Sequence, residues 1–319
     1  MAVTVLRALG LGDLLTAVPA LRAIARAYPD EQRLLAAPAW LAPLLPLVRG
    51  DGEPCLHDLV EVAGLGADPG RLPRRPAAAI DLHGAGPESH RLLLATEPQR
   101  LIAFRNDAVA ATAGMPEWEP AEHEARRWCR LLDRFGIEAD ATELEIERPE
   151  AELPEWARGA TLIHPGAASA SRRWPPERWA AVARHEREQG REVLVTGSRG
   201  ELGLARWIAA EAGLDPRREI AGRTDVGTLA AFVAAAGVLV CGDTGVAHLA
   251  TALRVPSVLL FGPTSPRHWG PPEDREIHRV LWRGRGGDPH AAAVDPGLLE
   301  IGAGEVLGAL DSLRSLAAA

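Results

Sequence analysis

The strongest constraint on the fold of this chain is a repeated alternation. Short apolar runs of the β type fall at residues 3–7, 34–37, 59–62, 78–82 and 101–104. Longer stretches with apolar residues at helical spacing lie between or after them, at 14–28 and 121–135. This pattern predicts an α/β unit with a parallel sheet. The alternation then restarts. Strand-like runs fall at 160–164, 192–196, 238–241 and 257–261, with helices at about 177–188, 201–212, 229–236 and 245–253. A final helix at 304–316 is expected to pack back on either domain, the N-terminal one included. Residues 147–159 are charged, contain proline and lack periodicity, so the linker is placed there. Two domains are therefore predicted, 1–153 and 154–319. The length of 319 residues fits two domains of roughly 100–200 residues each.

Composition removes several classes of function. All 35 basic residues are arginine, which excludes a Walker A lysine, a Schiff-base lysine and a kinase-type lysine. The net charge of −8 argues against a nucleic-acid partner. Three widely spaced cysteines, Cys55, Cys129 and Cys241, give neither a disulfide framework nor a CxxC metal site. No apolar run reaches the length of about 18 residues that spans a bilayer, so no integral membrane segment is expected. The start shows no basic region followed by an apolar core, the mark of a signal peptide. A cytoplasmic location is expected.

Loops after the strands carry the chemistry. In a parallel sheet they share one edge, and ligands bind beyond the carboxyl ends of the strands. In the second half these loops are His164-Pro-Gly-Ala-Ala-Ser-Ala-Ser-Arg172-Arg173, Thr196-Gly-Ser-Arg-Gly-Glu201, Gly242-Asp243-Thr244-Gly245 and Gly262-Pro-Thr-Ser-Pro. The helix opened by Thr244 and Gly245 presents amides that favour anions. His248 lies one turn on, on the same face as Thr244. Asp243 is read either as a helix cap or as a site residue. Ser169 lies in the same crevice loop. Arg172 and Arg173 are suited to clamp a diphosphate, or they form a solvated basic pair. Glu201 is placed either to bond ribose hydroxyls or simply to complement a helix dipole. Thr224 is a further donor-side candidate.

In the first half, Gly10-Leu-Gly12-Asp13 turns a strand into a helix. Asp13 is expected at or near the N-cap, as a cap or as a general base. The third glycine of a dinucleotide fingerprint is missing, so a nicotinamide oxidoreductase is a weak alternative. The loop Asp81-Leu-His83-Gly-Ala-Gly-Pro-Glu88-Ser-His90 follows another strand. Gly12, His83, Glu88 and His90 are acceptor-side candidates. Their spacing matches no tight metal motif, and no metal is expected.

Four ordered segments resemble glycosyltransferase family 9, the ADP-heptose heptosyltransferases. They are Arg7-Ala-Leu-Gly-Leu-Gly-Asp13-Leu-Leu-Thr-Ala-Val-Pro-Ala-Leu, His164-Pro-Gly with Arg172-Arg-Trp-Pro-Pro-Glu-Arg-Trp, Gly242-Asp-Thr-Gly-Val-Ala-His248-Leu-Ala, and Phe261-Gly-Pro-Thr-Ser-Pro. The resemblance implies a GT-B fold, two Rossmann-like domains facing across a cleft. It implies inverting, metal-independent transfer from a nucleotide sugar, with no cofactor beyond that substrate. Asp13 matches the family's proposed base. Arg172 stands where many members carry a phosphate-binding lysine. Thr244, Gly245 and His248 match donor-phosphate contacts, and Glu201 lies near the expected ribose contact. The implied partners are an ADP-sugar donor and a carbohydrate, lipid-linked or natural-product acceptor. A different nucleotide-hexose donor, or a non-catalytic nucleotide-sugar binding protein, are the competing readings.

Overall fold

A computed structural model describes residues 1–62, 64–66 and 70–318, the last two of these by backbone alone. The chain divides into two compact units, Met1–Glu147 and Arg148–Ala319.

Unit 1 is built on a parallel sheet. In chain order its elements are β1 (Ala2–Leu6), α1 (Leu11–Thr16), α2 (Val18–Ala27), β2 (Gln32–Ala37), the small hairpin β3 (Arg49–Gly50) and β4 (Glu53–Pro54), β5 (Asp58–Glu61), β6 (Ala78–Asp81), α3 (Glu88–Leu94), β7 (Leu101–Ile102) and α4 (Glu124–Asp133). The sheet order is β5-β2-β1-β6-β7. Every pair in it is parallel. Val3, Val5 and Leu6 of β1 and Ala78, Ala79 and Ile80 of β6 are fully buried, as expected where both faces of a parallel sheet are covered. The order reverses between β1 and β6, which makes their carboxyl ends the switch point where ligands bind in such sheets. Leu6 pairs with Asp81, so the two loops that follow leave the sheet side by side.

The expected helix at 14–28 is two helices. Ala17 separates them, and Pro19 lies in the first turn of α2. A proline has no N–H to return to Leu15, so the apolar periodicity continues while the hydrogen-bond ladder does not.

Unit 2 contains β8 (Thr161–His164), α5 (Pro176–Glu188), β9 (Val193–Val195), α6 (Leu202–Glu211), α7 (Val226–Ala235), β10 (Val238–Gly242), α8 (Gly245–Ala252), β11 (Ser257–Leu260), α9 (Pro266–Trp269), β12 (His278–Leu281), α10 (Pro296–Leu299) and α11 (Ala303–Ala318). The sheet runs β12-β11-β10-β8-β9, again all parallel. A lone parallel bridge from Val195 to Glu219 stands outside β9. Counted as a strand worn down to one residue, it gives unit 2 the same dinucleotide-fold order as unit 1, with the switch point between β8 and β10. Trp174 and Trp179 are buried behind this sheet, edge to face at 4.8 Å.

Residues 148–159, expected as linker, pack on unit 2. Arg148 donates to the carbonyls of Ala234 and Leu253, and Trp156 stacks on Phe232. The last helix, α11, also belongs to unit 2, lying against α5, β11 and β12. Its Arg314 pairs with the fully buried Glu186 of α5.

Candidate functional site

At the β1–β6 edge of unit 1, Asp13 is not the cap of α1 but its third residue. The cap is Gly10, and Asp13 reaches back to it: the Gly10 N–H donates to Asp13 Oδ2 at 3.1 Å. Gly12 precedes Asp13 in the same turn, and its carbonyl accepts from the Thr16 hydroxyl at 3.0 Å. The Asp13 side chain stays 27% exposed, so solvent or a substrate reaches it. Arg7 grips the same turn from below the surface. Its side chain is 1% exposed, and its Nε donates to the Asp13 carbonyl at 3.0 Å. Its Nη2 lies 3.4 Å from Asp13 Oδ1. Both oxygens of this carboxylate are therefore held, one by a backbone amide and one by a guanidinium.

Beside Asp13 stands the loop after β6. Asp81 is fully buried and accepts from the His83 N–H at 2.8 Å. Burial pushes its carboxyl up to about 6, against hydrogen bonds from Ser89 and the backbone. His83 is partly exposed, and burial, helped by the Arg7 charge, lowers its pKa while Asp13 raises it. His83 is thus neutral near pH 7 and lies within electrostatic reach of Asp13. The other acceptor-side candidates separate. His90 is wholly buried, with Nε2 3.5 Å from Asp81 Oδ2, so in this arrangement it takes no direct acceptor contact. A Cβ on Gly86 would collide with its ring, so glycine is what lets the loop close over it. Glu88 is exposed in the first turn of α3, where it complements the helix dipole.

At the β8–β10 edge of unit 2 the arrangement favours an anion. α8 begins at the cap Thr244, whose side chain makes no capping bond, and Gly245 is its first residue. Arg172 lies alongside: its Nη1 donates to the Asp243 carbonyl at 3.2 Å and stands 3.7 Å from Asp243 Oδ2. Burial raises the Asp243 pKa, and the Arg172 charge and the Thr264 hydroxyl oppose that rise. Asp243 therefore does not cap α8. It lies against Arg172 at the helix start, where no side chain caps the first amides of α8. The Thr244 hydroxyl is buried beside the Cys241 thiol and has no other hydrogen-bond partner among the described residues. His248 stands one turn along α8 against Trp269, edge to face at 5.9 Å.

Glu201 closes the other side of this edge. Its Oε2 accepts from the Ser198 N–H at 2.7 Å. Burial raises its pKa, but the Ser198 bonds and the His164 and Arg173 charges outweigh this and hold it below the ordinary value. The carboxylate lies over Gly166, where any Cβ would collide with it. The His-Pro-Gly segment after β8 is thus a floor on which Glu201 rests. Arg173 is exposed and anchored through Nε to the Ala167 carbonyl at 2.9 Å. Ser169 is half-buried in that loop, and its carbonyl accepts from the Arg172 N–H at 3.2 Å. Thr224 precedes the Asp225 cap of α7, in a loop tied to the Glu201 turn by the Gly222 N–H on the Gly197 carbonyl at 2.9 Å.

Sequence reasoning passed over Arg7 and Thr264 as site residues. The signal for Arg7 was a charged residue directly after a mostly apolar strand and just before the glycine turn. Thr264 lay inside a quoted motif, but only the fold brings it to Asp243.

Residues 117–289, over half the chain, match the model of glycosyltransferase family 9 (heptosyltransferase). The chain belongs to that family. It is 32% identical over 148 residues to lipopolysaccharide heptosyltransferase 1 of Pseudomonas aeruginosa, covering 45% of this chain and 38% of that one. It is 30% identical over 178 residues to lipooligosaccharide heptosyltransferase 2 of Haemophilus influenzae, covering 54% and 48%. The matched segments thus span less than half of either relative. The whole chain overlays the structure of the Escherichia coli ADP-heptose lipopolysaccharide heptosyltransferase II, with TM-score 0.77, 21% identity and full coverage of both. This family 9 chain shares the GT-B fold with it: two units, each on a parallel sheet of dinucleotide-fold order. Among its described residues no helix is long and apolar enough to cross a membrane.

Proposed function

We propose that this chain transfers a heptose from an ADP-activated donor to an acceptor hydroxyl, with inversion at the transferred carbon and Asp13 as general base. The observation that carries the reading is Arg172, held by Asp243 beside the uncapped start of α8. That arrangement offers a guanidinium and backbone amides to the same ligand, as a diphosphate requires.

The donor diphosphate would lie on α8, bonded by the Gly245 amide and Arg172. Arg173 and His248 would add contacts, and Glu201 would accept from a ribose hydroxyl. As the sugar–oxygen bond breaks, negative charge grows on the leaving phosphate. Positive charge fixed beforehand at that place lowers the barrier, and it does so without a metal. The acceptor oxygen attacks the anomeric carbon opposite the leaving group, so the configuration inverts. Its proton passes to the Asp13 carboxylate, and ADP departs. A neutral His83 would offer the acceptor a hydrogen bond beside Asp13.

The names of the relatives, lipopolysaccharide and lipooligosaccharide heptosyltransferases, support a heptose donor and an acceptor of that class. The test is calorimetry with ADP-heptose, UDP-glucose, ADP and NAD, on wild type and on Arg172→Ala. Preference for ADP-heptose, weakened by the substitution, is the expected result. Preference for another sugar nucleotide would replace the donor, and binding of NAD alone would overturn the reading.

A further inference from the structure

Arg7 carries more bonds than holding Asp13 requires. Its Nη2 also donates to Glu124 Oε1 at 2.9 Å, a shorter contact than the 3.4 Å to Asp13. Its Nη1 donates to the Leu82 carbonyl. Its guanidinium carbon lies 4.7 Å from the centre of the Trp128 ring. Glu124, the first residue of α4, is itself 6% exposed. It accepts from Trp128 Nε1 at 3.0 Å and pairs with Arg127. A glutamate 117 residues from Arg7 is therefore bound within one buried network that ends on Asp13.

We propose that Arg7 and Glu124 are positioning residues for Asp13: Arg7 fixes the carboxylate and places a positive charge beside it, and Glu124 draws part of that charge away. The inference rests on the reading of Asp13 as the base. A base needs a fixed direction and must still accept a proton. A guanidinium given wholly to Asp13 would hold the carboxylate well but make it a poor proton acceptor. Sharing the guanidinium with Glu124 keeps the grip and moderates the charge. The charged and titratable neighbours of Asp13 are Arg7 from the end of β1 and His83 from the loop after β6. Asp81 of β6 feels Arg7 as well, and Glu124 and Arg127 of α4 stand behind it.

The two partners therefore act on Asp13 with opposite sign. Removing the positive charge in Arg7→Met makes the carboxylate easier to protonate, so its titration midpoint moves up. Removing the negative charge in Glu124→Gln leaves Arg7 uncompensated, so the midpoint moves down. The two changes are expected to be opposite in sign. Arg7→Lys and Glu124→Asp keep the charges and should stay near wild type.

The measurement is carbon-13 NMR of the full chain labelled at its aspartate carboxyl carbons. The Asp13 signal is identified by its loss in Asp13→Asn. Opposite shifts in the two charge-removing variants are the expected result. Shifts of the same sign, or none, would overturn the proposal. ADP calorimetry and thermal unfolding check that each variant is folded. If Glu124→Gln fails to fold, the Arg7 pair decides: an unmoved midpoint in Arg7→Met overturns the proposal. Failure of the base reading looks different, because Asp13→Asn would then turn over like wild type whatever the titrations show.

Discussion

The two sheet edges of this chain solve opposite problems. In unit 1 the carboxylate proposed as the base is held: Asp13 is bonded at both oxygens, by Gly10 and Arg7. In unit 2 the donors are left unspent. The start of α8 has no side-chain cap, and Arg172 is anchored mainly through the neighbouring backbone, 21% exposed. A general base works best when its direction is settled before the substrate arrives. An anion site works best when its hydrogen-bond donors have no protein acceptor to give up. The two sheets share one strand order, so the difference lies in the loops.

That contrast can be broken most sharply at Asp13. Asp13→Asn removes the proton acceptor and keeps the shape, so transfer should fall about 10²–10⁴-fold. ADP affinity should not change. ADP-release assays with lipopolysaccharide from a heptose-deficient strain as acceptor check this, and turnover at the wild-type rate would reduce Asp13 to a helix-turn residue.

On the other edge the effect is on binding. Arg172→Ala should weaken ADP-heptose about 10–100-fold, the range for losing a charge-assisted hydrogen bond. Arg172→Lys should recover part of this, because a point charge remains while the forked geometry is lost. An unchanged dissociation constant in Arg172→Ala would place the diphosphate elsewhere.

The floor under Glu201 is a finer probe of the same edge. In Gly166→Ala the new methyl displaces the carboxylate. Donor affinity should fall by roughly tenfold, the loss of one such hydrogen bond. The Asp13 titration should not respond. Equal affinity in the variant would mean that Glu201 takes no part in the site.

Much of this arrangement could be read before the fold was known, and the failures are physical. Strands β1, β8 and β10 lie in short runs rich in Val, Leu and Ile, so their positions and the loops after them were evident. β12 was not expected, because His278-Arg-Val-Leu has too few apolar residues to stand out. The third strand of unit 2 was invisible because it survives as one bridge at Glu219. Asp13 was expected at or near the cap; Gly10 is the cap, and Asp13 is the third residue of the helix and bonds back to it. The roles of Arg7 and Glu124 depend on contacts between β1, the β6 loop and α4, which no local pattern records. His90 was grouped with the acceptor-side candidates because spacing does not reveal that Gly86 folds the loop over it.

A further prediction concerns stability in unit 1. Burial raises the Asp81 carboxyl to about 6, above its ordinary value of 3.8. Its folded value exceeds its unfolded one, so its contribution is fully present below that ordinary value. The contribution is lost as the pH rises through 6. Asp81→Asn should therefore raise the unfolding temperature near pH 7.5, by up to about 3 kcal/mol in stability, and change little near pH 4. Thermal unfolding at the two pH values checks this, and destabilisation at both would show that the carboxylate is needed in its charged form.

Under the proposed function labour is divided, with proton transfer on one unit and donor binding on the other. Calorimetry of ADP binding to wild type, Asp13→Asn and Arg172→Ala tests it most directly. Binding unchanged in Asp13→Asn and weakened at least tenfold in Arg172→Ala is the expected result, the size of one charge-assisted hydrogen bond. Loss of ADP binding in Asp13→Asn, or wild-type affinity in Arg172→Ala, would contradict it.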